Sequence, residues 1–171
     1  LPALNWILLA AAIMLVAAAT LFIAGERTWT VFAGPADQGP VDFTTLQLRT
    51  SPNQFLVCPP GTCTARADET APVFAVSEKQ LRETLITSWA AMPRTRQVAG
   101  TADPASGEIR FVQTTALLHY PDTISVHTWP AGDGRSTLAI YSRSLVGRSD
   151  LGANGERVRA WLADLPLTPT D

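Results

Sequence analysis

The chain has two cysteines, two histidines and a net charge of only −2 over 171 residues, and each scarcity closes off a class of function. With 15 acidic and 13 basic side chains there is no electrostatic footprint for nucleic acid, so no such partner is expected. His119 and His127 belong to no spacing that binds metal or activates water; there is no H-E-x-x-H. A c-type haem needs C-x-x-C-H, and no histidine follows Cys63. A G-x-S-x-G elbow is also lacking, so Ser149 has none of the surroundings that activate a serine nucleophile. No internal repeat is visible. The expectation is a protein with no catalytic residue, metal or cofactor.

What is present starts at the N-terminus, where Trp6 to Ala24 carries no charge. A run of about 19 apolar residues rises about 28 Å as a helix, close to the roughly 30 Å hydrocarbon core of a bilayer. Its Leu, Ile, Val and Phe side chains favour insertion by about 3–5 kcal/mol in sum. Residues 1–27 therefore read as a transmembrane helix spanning about 6–24. A cleaved signal peptide competes with this reading, since Ala17, Ala18, Ala19 and Ala24 suit a signal peptidase, although the apolar region would be unusually long. Ala10, Ala11, Ala12, Ala17, Ala18 and Ala19 permit close contact with transmembrane subunits of a larger complex. Only Glu26 and Arg27 flank the run, so the positive-inside rule decides nothing.

The two cysteines sit together in Cys58-Pro59-Pro60-Gly61-Thr62-Cys63, a turn that can bring the sulfurs within bridging distance. A disulfide there contributes about 2 kcal/mol on the chain-entropy model and persists only in an oxidising compartment. Zinc is the weaker alternative, because two further ligands would have to come from His119, His127 or distant carboxylates. The disulfide reading gives an inner-membrane, single-pass protein with its C-terminal domain in the periplasm.

Trp29 and Phe32 read as interfacial aromatics, and Gly34-Pro35 and Gly39-Pro40 as linker. Residues 28–76 form an extended Pro/Gly-rich arm with the Cys loop, lying on the domain or on a partner; for 33–50 a floppy linker is the equal alternative. The α+β domain covers 77–166, with 167–171 as a tail. Ser77 to Gln80 has the capping-box form, and Leu81, Leu85, Trp89 and Met92 recur at helical spacing until Pro93. Strands are predicted over 95–101, 108–116, 122–129 and 136–144, alternating as half-buried antiparallel strands should, with turns between them. A last helix covers about 153–165, with Val158, Trp161, Leu162 and Leu165 on one face. The fold class is α+β: a two-layer domain with a four-stranded antiparallel meander and two helices on one face.

The densest polar stretch runs from Tyr141 to Ser144 and from Gly147 to Gly152. Phe74-Ala75-Val76, Tyr120 to Val126 and above all Ser142-Arg143-Ser144-Leu145-Val146-Gly147-Arg148-Ser149-Asp150-Leu151-Gly152-Ala153-Asn154 resemble a bacterial family catalogued as domain of unknown function 1499. The resemblance spans roughly 50–165; members share a Ser-Pro-Asn start, matched by Ser51-Pro52-Asn53, and often a membrane segment. The departure is the Cys58 to Cys63 insertion, where the family has a shorter Cys-containing stretch. The family transfers no catalytic residue.

Two readings of the polar stretch stay open. Structurally, Asp150 caps the turn before the last helix, Gly147 and Gly152 supply positive φ, and Arg143 or Arg148 pairs with Asp150. Functionally, Tyr141, Arg143, Arg148, Ser149 and Asp150 are candidate contacts for an anion, a lipid headgroup or a partner. Trp129, near Pro130, is a further candidate partner contact. The expected function is a non-catalytic accessory subunit that stabilises or positions components of a bacterial membrane complex, with a respiratory or photosynthetic host as an expectation. The alternative is a membrane-tethered periplasmic module that binds a lipid headgroup or small anion.

Overall fold

The computed structural model describes residues 2–170. Helix α1 (Pro2–Ala24) meets the short helix α2 (Glu26–Ala33) at Gly25, whose φ of 54° makes the corner. None of the apolar window Ala3–Thr20 is buried, so α1 is not a core helix; it is long and apolar enough to cross a membrane. An anchor and a signal sequence both fit that description.

Among the described residues the rest builds on one sheet of eight strands, where four were expected. These are β1 (Gln54–Cys58), β2 (Glu69–Thr70), β3 (Val73–Phe74), β4 (Thr95–Ala99), β5 (Ile109–Thr114), β6 (Pro121–Pro130), β7 (Ser136–Ser144) and β8 (Pro169–Thr170). Along the main path the order is β2-β1-β7-β6-β5-β4; β3 joins the free part of β7's edge and β8 pairs with β3. The sheet is mixed, because β2 runs parallel to β1 while the other pairs are antiparallel. The additional strands come from the predicted arm and tail. Gln54 to Val57 pair with Arg143 to Ile140, a match between segments far apart in sequence.

Helices α3 (Glu78–Ala90) and α4 (Ala153–Ala163) cover one face. Ser77 accepts from the Gln80 N–H at 3.3 Å and caps α3, whose Leu81, Leu85 and Trp89 are fully buried. They meet Phe111, Ile124, Val126, Leu138 and Ile140 from the sheet and Val158 and Trp161 from α4. Gly155 lets α4 approach β1: a Cβ there would stand 3.1 Å from the Phe55 ring.

The opposite face is also covered, so the two-layer expectation gives way to three layers. Phe43, with Val41, Leu46, Leu48, Ala65 and Ala67, packs on Leu56, Cys58, Ala139 and Tyr141. All nine residues of β7 are buried as a result. The floppy-linker alternative fails for 36–43. Arg110 holds Asp37 with two bonds at 2.9 and 3.0 Å, the Gln38 N–H donates to Thr123 at 3.1 Å, and Thr123 donates to the Ala36 carbonyl at 2.8 Å. Cys58 and Cys63 form the disulfide at the end of β1. It closes the loop over the arm face, where both cysteines join the packing.

Helix α2 is latched to the domain rather than hanging from it. Trp29 donates to the Leu118 carbonyl at 2.5 Å and lies 4.4 Å from the Tyr120 ring, while Glu26 pairs with Arg96 at 2.6 Å. Since β6 has 10 residues, it separates the 115–120 loop at this end from the hairpin 131–135 at the other. At about 3.3 Å per residue that distance is roughly 30 Å.

Candidate functional site

A cleft of about 290 Å³ opens at the α2 end of the sheet. Its walls are the loop before β6, with Thr115 and Tyr120, and the loop after β7, with Val146, Ser149, Asp150 and Leu151; Asp122 and Ser144 lie between them. Asp122 and Ser144 are cross-strand partners on β6 and β7, in the register that faces the helices.

Below the cleft, α4 sends Asn154 and Arg157 onto the same strands. Arg157 pairs with Asp122 through Oδ2, both side chains being almost fully buried, and donates to Gln113 at 2.5 Å, Ser142 at 3.0 Å and Asn154 at 2.7 Å. Asn154 Nδ2 donates to Ser144 at 3.0 Å, Asp150 at 2.6 Å and the Asn53 carbonyl at 3.3 Å, while its Oδ1 accepts from Ser142 at 2.5 Å. Asn53 in turn donates to the Gly147 carbonyl at 2.6 Å. This lattice joins Asn53, just before β1, to β5, β6, β7 and α4. One acceptor is left out of it: Asp122 Oδ1 is buried with no hydrogen-bond partner.

Asp150 caps the loop as expected, through different partners. Burial pushes its carboxyl up, but hydrogen bonds from Asn154 and from the Gly152 N–H outweigh this and hold it below its ordinary value. Gly147 and Gly152 have φ of 94° and 89°. Leu151 also adopts positive φ, at 53°, and is 94 % exposed. Neither Arg143 nor Arg148 pairs with Asp150 among the described residues.

The candidate residues named from sequence divide between the two faces. Ser149 and Asp150 line the cleft, and Arg148 is exposed beside them. Tyr141 and Arg143 point to the opposite, arm-covered face, so Arg143 and Arg148 do not form one anion site. Arg143 is 4 % exposed, donates to the Gly39 carbonyl at 2.7 Å and lies 5.1 Å over the Tyr141 ring; burial pulls its guanidinium below the ordinary value. Tyr141 donates to Gln54. Trp129 is partly buried, with the Phe43 ring at 6.2 Å and the His127 ring at 4.4 Å. These rings and Glu108 border a second cavity of about 340 Å³. Burial pushes the Glu108 carboxyl up, but its oxygens already accept from Arg110 at 2.6 Å and the Val41 N–H at 3.1 Å.

Asp122, Asn154 and Arg157 were missed as site residues. A signal for them exists in the sequence: Asp122 shares the inward register of Ile124 and Val126, and Asn154 and Arg157 share the helix face of Val158 and Trp161. Polar residues at core-facing positions must find one another. Among the described residues no group of histidine, cysteine and carboxylate side chains is placed to hold a metal.

Comparison with curated proteins finds no match. Residues 45–165 match the family described as protein of unknown function (DUF1499), a range that takes in strands β1 to β7, both packed helices and the cleft, and the chain belongs to that family.

Proposed function

We propose that the chain is a non-catalytic, single-span protein of the bacterial inner membrane whose periplasmic domain is held against the bilayer surface to bind a lipid headgroup. The observation that carries this reading is the latch between α2 and the domain, because a flexible tether would need no such contacts. The latch sets the cleft beside the end of α1. Val31 and Phe32 of the latched helix, Leu117 and Leu118 of the loop it is latched to, and Leu151 of the cleft lip are all exposed. Apolar side chains at that level, continuous with a membrane span, suit the boundary between headgroups and acyl chains. The disulfide supports an oxidising compartment.

A second reading, an accessory subunit that stabilises a membrane complex, is favoured by the groove of Ala12, Ile13, Val16 and Ala17 on α1, which would admit a neighbouring helix. Extraction of native membranes in mild detergent, followed by mass spectrometry of what accompanies the protein, separates the two. Lipid at a fixed ratio of about one per chain is expected. Protein companions at fixed ratio without retained lipid would replace the first reading with the second, and recovery of the bare chain would contradict both.

A further inference from the structure

The cleft differs in chemistry from an anion site. Its polar lining consists of carboxylates and hydroxyls, including Asp122, Asp150, Ser144 and Thr115, and no lysine or arginine lines it. Each of the three guanidinium nitrogens of Arg157 beneath it already donates, to Gln113, to Ser142 and Asn154, and to Asp122. Asp122 is 2 % exposed, and its Oδ1 is shielded from bulk water without a partner. A buried acceptor in that state gains most from a donor that a ligand brings with it.

We infer that the cleft takes the ammonium end of an aminophospholipid headgroup, with Asp122 and Asp150 as the acceptors and Val146 and Leu151 against the apolar end. This rests on the lipid-binding reading above and specifies the headgroup. The volume of about 290 Å³ is at the lower limit for a ligand site and suits a headgroup rather than a whole lipid. The α2 latch places the opening where such headgroups lie.

The test uses the full chain in nanodiscs of equimolar phosphatidylethanolamine and phosphatidylglycerol, with retained lipid counted by native mass spectrometry. The expected result is phosphatidylethanolamine retained over phosphatidylglycerol by about tenfold, the effect of one charge-assisted hydrogen bond. Ala153→Leu, which fills the cleft without removing a side-chain hydrogen bond, should bring the ratio to one. Ser149→Phe at the exposed rim gives the same readout if Ala153→Leu fails to fold. Equal retention of the two lipids by the unaltered chain, or loss of selectivity in Arg148→Ala but not in the cleft-filling variants, would overturn the ammonium assignment and leave lipid binding standing. Retention of neither lipid would overturn both.

Discussion

Replacing Arg157 with leucine is expected to destabilise the domain by about 3–5 kcal/mol, the cost of leaving a buried charge without its partner. Arg157 and Asp122 have side chains only 8 % and 3 % exposed, and removing the guanidinium also takes donors from Gln113, Ser142 and Asn154. For a chain of this size the melting temperature should fall by roughly 10 °C or more. Adding Asp122→Asn to Arg157→Leu should recover part of the loss, because the stranded charge is gone. The readout is thermal unfolding of the full chain in nanodiscs. A shift below about 1 kcal/mol for Arg157→Leu would mean that the lattice under the cleft does not hold β6 to α4.

Trp89→Ala is the second large effect, at about 3–5 kcal/mol. The indole is fully buried between the Phe111 ring at 5.9 Å and the Trp161 ring at 5.1 Å, and it donates to the Trp161 carbonyl at 3.2 Å. Truncation opens a cavity where α3, α4 and β5 meet. Trp89→Phe keeps most of the ring contact and should cost about 1 kcal/mol, the size of the lost hydrogen bond. Equal losses in the two variants would show that the hydrogen bond, rather than the packing, fixes the helices.

Local signals carried the elements that local physics determines. The Ser77 cap and the Leu81, Leu85 and Trp89 spacing mark α3, and the alternation of Ile124 with Val126 marks β6. What could not be read was long-range pairing. Gln54 to Cys58 is a short apolar run among prolines, and it becomes a strand only through β7, whose paired residues lie more than 80 positions away. The alternation in β7 suggested one wet face. In fact Ala139, Tyr141 and Arg143 are buried by the arm, because Asp37, Gln38 and Gly39 satisfy polar groups on that face. The cleft was half legible: the Ser149–Asp150 turn stood out as polar, whereas Asp122 and Arg157 meet only when helix packs on sheet.

Depth-sensitive spin labelling tests most directly the proposal that the domain stands on the bilayer with its cleft end down. Single labels at Phe32, Leu117 and Asp133, in the full chain in nanodiscs, sample α2, the loop beside the cleft and the distal hairpin. The first two labels are expected about 5–10 Å into the headgroup and acyl boundary, while the label at Asp133 reports bulk water. A Leu117 label as water-exposed as the Asp133 label would contradict it.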